Sequence, residues 1–78
     1  MPSFDRVREI IADQLGIGEE EVALEASITS DLGADSLDMM ELILSLEEEF
    51  DLEEISEMEW EKWQTVSNLV DYLDKRMH

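Results

Sequence analysis

The 78-residue chain has no cysteine, one histidine, one proline, three glycines and five basic residues. Each scarcity removes a class of explanation. Without cysteine the protein has no disulfide staple, no thiolate metal site and no thiol nucleophile of its own. So little glycine and proline points to helices rather than a turn-rich β fold. No signal-peptide pattern, lipidation motif or long apolar run is present, so a soluble, cytoplasmic protein with no membrane insertion is expected. The five bases face 22 acids, a formal charge of −17, or one uncompensated negative charge every four to five residues. Such a polyanion repels phosphate backbones and anionic lipid headgroups, which argues against nucleic-acid binding and electrostatic membrane attachment. Self-repulsion also lowers stability, so this much charge of one sign calls for a use.

What is present keeps the chain globular. Apolar residues make up 44%, more than an acidic disordered tail carries. The length suits one domain spanning residues 1–78, expected to be a monomer. Ser3 is a candidate cap for a helix in which Phe4, Val7, Ile11 and Leu15 recur at helical spacing beside Ile10, with Gly16 as its stop. In residues 16–35 the alternation of Val22, Leu24, Ala26 and Ile28 is a strand pattern, but no second strand is evident to pair with it. The segment is therefore read as a long loop whose apolar residues are pegged into the core. Ordered loops of that length in small domains are usually functional.

The loop ends at Leu32-Gly33-Ala34-Asp35-Ser36, after which a helical pattern runs to Phe50. Asp35 suits the N-cap, and Asp38 suits the positive end of the helix dipole. A break follows at residues 51–54, then a short helix from Ser56 to Trp60 or Lys62. Thr65 caps a last helix carrying Val66, Leu69, Val70 and Leu73, with Lys75 and Arg76 complementing its dipole. The expected fold is all-α: a small bundle of three longer helices plus one short helix, with a long loop between the first and second helices.

The second helix has two apolar groups. At about 100° per residue, Met39, Leu42, Ile43, Leu46 and Phe50 form a core face. Leu37, Met40 and Leu44 form another, rotated well away and bordered by Glu41, Glu47 and Glu48. Either the helix is central and buried on both sides, or this stripe is a docking surface with apolar contact inside and steering charge outside. Residues 31–61 favour docking, because they hold 13 acids and no base, a composition suited to a basic partner.

Ser36 stands at the first helical position. A serine before an apolar helix is ordinarily a cap, yet Asp35 already supplies one, which leaves the hydroxyl free. It is no self-activated nucleophile: the local sequence Ala-Asp-Ser-Leu-Asp is not a Gly-x-Ser-x-Gly elbow, and the lone histidine, His78, is terminal. An EF-hand counted from Asp31 fails as well, with Gly33, Ser36 and Leu42 at its third, sixth and twelfth positions. Asp35 and Asp38 suggest general acid–base work only if an enclosed cleft tunes them, and nothing marks one. A free serine, an acidic helix and no catalytic apparatus describe a protein on which other proteins act, and not an enzyme.

The run from Leu32 to Asp38, followed by Glu41-Leu42 and Leu46-Glu-Glu-Glu-Phe-Asp51, closely resembles the acyl carrier proteins of dissociated bacterial fatty-acid synthesis. The likeness extends through Thr65-Val66 and Asp71-Tyr72-Leu73. The resemblance implies that a phosphopantetheinyl transferase, with Mg²⁺ held in its complex, moves 4′-phosphopantetheine from coenzyme A onto Ser36. The arm's thiol then carries acyl chains as thioesters. It further implies that Asp35, Asp38, Glu41, Glu47 and Glu48, alongside Leu37, Met40 and Leu44, meet basic surfaces of acyl-chain synthesis and transfer enzymes. An acyl pocket is expected near Leu46, Met58, Trp60 and Trp63, although these residues also read as ordinary core.

Residues 52–63 depart from the family pattern. Ile55-Ser56-Glu57 replaces the usual Ile-Pro-Asp, and Trp60 and Trp63 stand where smaller aliphatic residues are typical. Fatty-acid synthesis is the expected pathway, because Leu-Gly-Ala-Asp-Ser-Leu-Asp is intact. A specialised carrier for a polyketide, hydroxyacyl or D-alanyl group is the alternative. An acidic, divalent-responsive interaction protein, with Ser36 merely structural, is a further one.

Overall fold

A computed structural model describes residues 2–76, with side chains described from Phe4 onward. His78 lies outside the described residues. Helix α1 runs Pro2–Leu15, α2 Ser36–Glu49, α3 Glu57–Trp60 and α4 Val66–Arg76. The all-α bundle with its long first loop is therefore as the sequence led us to expect. Helix α1 starts at Pro2, so Ser3 lies inside the helix and is not its N-cap. Proline at a first helical position has no N–H to leave unpaired and a φ already suited to the helix.

The core is built where three apolar stripes meet. Val7 and Ile11 of α1, Leu42 and Leu46 of α2, and Val66, Leu69, Val70 and Leu73 of α4 are all fully buried. Helix α1 packs against both α2 and α4. Phe50, assigned to the same face as Leu46, is only partly buried at its edge. Helix α2 ends one residue earlier than expected, at Glu49.

The long loop is pegged as its alternation suggested: Val22, Ala26 and Ile28 are buried and Leu24 is half-buried. A single 3-10 turn, Glu19–Glu21, interrupts it. The loop nevertheless does pair, at one residue. Ser27 and Thr65 form an isolated antiparallel bridge. The physical reason lies at the start of α4, whose first N–H groups have no partner within the helix. Val66 N–H donates to the Ala26 carbonyl (3.1 Å) and Ser67 N–H to that of Leu24 (2.9 Å). Ile28 N–H in turn donates to the Gln64 carbonyl at 3.1 Å. Thr65 caps α4 as expected: its Oγ1 accepts from Asn68 N–H, and Asn68 Oδ1 accepts from the N–H groups of Gln64 and Thr65.

Candidate functional site around Ser36

The approach to Ser36 is fixed by local hydrogen bonds. The Asp31 carboxylate accepts from Ser27 N–H at 2.7 Å, closing the turn on which the loop reverses. Gly33 then takes a left-handed φ of 76°, which glycine adopts without steric cost. Ala34 follows, buried, its N–H donating to the Ile28 carbonyl at 3.1 Å. Asp35 is extended and forms a reciprocal capping box with Asp38. Its Oδ1 accepts from Asp38 N–H at 2.9 Å, and Asp38 Oδ2 accepts from Asp35 N–H at 3.3 Å. At the helix start Asp38 therefore does more than complement the dipole: it is half of the cap.

With the cap supplied by its neighbours, Ser36 is the first residue of α2 and is exposed. Among the described residues its hydroxyl has no hydrogen-bond partner. Beside it lies a groove of about 370 Å³ lined by Ile28, Thr29, Ala34, Met39, Trp60 and Trp63, with Asp35 and Glu61 at its polar edges. A second groove, of about 260 Å³, lies between α2 and α3. Its apolar walls are Met40, Ile43, Leu44 and Ile55, its acids are Glu47, Glu54 and Glu57, and Trp60 is shared with the first groove.

The four residues expected to line an acyl pocket therefore separate. Trp60 and Trp63 line the groove beside Ser36. Leu46 is fully buried within the core, and Met58 is 73% exposed and lines neither groove. The groove also uses Ile28 and Thr29, which sequence spacing did not identify because the Ser27–Thr65 bridge brings them there. Met39, three residues after Ser36 on the same helix, was identifiable by spacing.

The second apolar group of α2 is at the surface: Leu37, Met40 and Leu44 are 63%, 54% and 60% exposed. Burial of α2 on both sides is thereby excluded. Around this stripe Asp35, Glu41 and Glu48 are exposed, and Asp38 and Glu47 are half-buried. The Glu41 carboxylate accepts from Gln14 Nε2 at 2.9 Å, and that of Glu47 accepts from Ile55 N–H at 2.6 Å. Glu49, given no separate role in the sequence, ties α2 to α1 through Arg6 at 2.6 Å, and Arg6 also meets Glu9 at 2.5 Å. The Arg6 hydrogen bond holds the Glu49 carboxyl below the usual carboxylate range; the pairs with Glu49 and Glu9 raise Arg6 further. Among the described residues no cluster of three or more carboxylate or imidazole groups is arranged to hold a metal ion.

Residues 5–73 match the family described as phosphopantetheine attachment site. This is nearly the whole chain, and the protein belongs to that family. Its domains are non-catalytic carriers to which 4′-phosphopantetheine is covalently attached, and that carrier role is this chain's.

Proposed function

We propose that Ser36 is the residue that receives the arm, and that the protein carries the acyl intermediates of fatty-acid synthesis. The observation that carries this reading is the unengaged, exposed Ser36 hydroxyl at the start of α2, left free by the Asp35–Asp38 box. The surroundings fit an attached phosphodiester. The first N–H groups of a helix favour an anion, and the flanking carboxylates keep it solvated instead of clamped. When bound, the arm supplies the thiol that the cysteine-free chain lacks and thus the capacity to form thioesters.

The chain's own contribution is presentation. Asp35 and Asp38 hold each other's backbone N–H groups, so neither is positioned as a base for Ser36, and deprotonation of the hydroxyl falls to the transferase. Leu37, Met40 and Leu44 offer apolar contact; Asp35, Asp38, Glu41, Glu47 and Glu48 surround it with negative charge suited to basic enzyme surfaces. Rim charge of this kind raises association rates without tight complexes, which suits a carrier serving several enzymes in turn. The groove beside Ser36 gives the arm or its cargo an apolar wall in Trp60 and Trp63. Those two indoles also support the second reading, a specialised carrier whose cargo differs from a plain fatty acyl chain.

Incubation with coenzyme A, Mg²⁺ and a broad-specificity phosphopantetheinyl transferase tests the proposal by mass. One phosphopantetheine is expected on the parent and none on Ser36→Ala. No gain, or a gain that survives the substitution, overturns it. The mass of the protein purified from its own host then separates fatty acyl from other cargo.

A further inference from the structure

Residues 51–64, which include α3, close the groove beside Ser36; Trp63 rests against the Tyr72 ring of α4, yet few hydrogen bonds tie the segment to the rest of the fold. Ile55 is the one fully buried side chain among them; Leu52, Trp60 and Trp63 are half-buried. Helix α3 is a single turn whose hydrogen bonds stay within its own segment. Across residues 53–63, the described residues provide one hydrogen bond to the rest of the fold: Ile55 N–H to the carboxylate of Glu47, at 2.6 Å. The same residue holds the start of the segment through its backbone, because the Glu47 carbonyl accepts from Leu52 N–H at 2.9 Å.

We infer that Glu47 is a positioning residue, a latch that fixes Ile55 in the core and so keeps the α3 segment closed over the two grooves. Two features make the latch releasable. It is a single bond, and its acceptor is a charged carboxylate with other uses. Glu47 borders the groove with Met40 and Leu44 of the exposed stripe, and Glu54 and Glu57 line that groove too. Three carboxylates around one groove repel one another and attract a cation. A guanidinium or ammonium brought there by a basic partner competes with Ile55 N–H for the Glu47 carboxylate. Docking on the stripe then loosens the segment covering the cargo groove, which couples arrival of a partner to access. That coupling rests on the carrier reading above; the latch itself does not.

Amide hydrogen exchange tests the latch in the unmodified protein. Glu47→Ala is expected to speed exchange at Ile55 about tenfold, as loss of one hydrogen bond to a charged acceptor predicts. Amides of Val7 and Leu69, in α1 and α4, should keep their protection. Glu47→Gln, whose side-chain oxygen still accepts, should stay within about threefold of the parent. Glu48→Ala, the same charge change one residue on, should leave Ile55 unaltered. Unchanged exchange at Ile55 in Glu47→Ala overturns the latch, as does an equal loss at Val7 and Leu69 or a Glu47→Gln protein indistinguishable from Glu47→Ala. Loading the same variants by the transferase keeps the two proposals separate: a normal mass gain with no change at Ile55 sinks the latch alone.

Discussion

The turn that leads from α2 to the α3 segment is strained at one residue, and the strain is measurable because the molecule contains its own control. Asp51 follows α2 with a φ of 53°, in the left-handed region. Leu52 N–H reaches back to the Glu47 carbonyl, closing the six-residue ring that ends many helices. The same device ends α1, where Ile17 N–H donates to the Ala12 carbonyl at 3.0 Å and the left-handed residue is Gly16, φ 69°. One cap is built with glycine and the other with aspartate. Left-handed geometry costs an L-residue roughly 1–2 kcal/mol, with Asp near the lower end. Glycine recovers that but has a freer unfolded chain, a loss of about 0.4–1 kcal/mol. Removing a negative charge from the negative end of a helix returns about 0.3–1 kcal/mol. Asp51→Gly should therefore stabilise the protein by about 1 kcal/mol, roughly 4–8 °C in Tm for a domain of this size. Thermal melts followed by circular dichroism at pH 7 measure it. Asp51→Asn, which removes charge and keeps the side chain, should gain about half as much, and the reciprocal Gly16→Asp should lose about 1 kcal/mol. A Tm for Asp51→Gly at or below the parent, with Gly16→Asp unaffected, would show that the left-handed position carries no strain for aspartate.

Two further comparisons separate fold from docking and test the inter-helix tie. Leu42 is fully buried and Leu44 is 60% exposed on the same helix. Leu42→Ala should cost about 2–5 kcal/mol, enough to leave much of so small a domain unfolded by circular dichroism. Leu44→Ala should shift stability by no more than about 0.5 kcal/mol yet slow transferase loading about fivefold; loading at the parent rate would remove Leu44 from the docking surface. Arg6 pairs with Glu49 across α1 and α2, and the Glu49 carboxyl is held below its ordinary range. A carboxyl depressed in the folded state contributes stability that is present above its unfolded pKa and is lost as pH falls through the folded one. The Tm difference between the parent and Arg6→Met should accordingly be largest near neutral pH and shrink in the acid range below that of ordinary carboxylates. A difference that is constant with pH would mean that Arg6 acts through packing alone.

The helices were legible because their signals are local. Periodicity in α1, α2 and α4, the Asp35 and Thr65 caps and the Gly16 stop each lie within a few residues of what they control. The exposed hydroxyl of Ser36 was legible for the same reason, since its competitor for the capping role is the adjacent residue. What escaped depends on partners distant in sequence. The Ser27–Thr65 bridge joins residues 38 apart, and without it nothing in the spacing places Thr29 beside Ser36. Met58 looked like groove lining and Glu47 like surface charge, but the path of residues 51–56 turns Met58 outward and draws Glu47 inward to Ile55. That path is set by the left-handed Asp51, which no sequence rule singles out because glycine is the usual occupant.

The charge of −17 acquires a more specific sense from the same bonds. Arg6 serves Glu9 and Glu49, while Arg8 lies 3.6 Å from Asp5 and 3.7 Å from Glu19. Lys75 and Arg76 stand in the last turn of α4, and Lys62 lines a surface groove with Asp71 and Lys75. Four of the five acids around the Leu37–Met40–Leu44 stripe are instead met by neutral donors: backbone N–H groups for Asp35, Asp38 and Glu47, and the Gln14 amide for Glu41. A neutral donor orients a carboxylate and leaves its full charge, whereas an arginine cancels it. Placing bases beside these acids would have relieved self-repulsion and stabilised the fold. It would also have removed the negative field that, on the proposed reading, draws a basic partner surface towards Ser36. The distribution of five bases among 22 acids thus keeps the helix beginning at Ser36 ordered and negative at once.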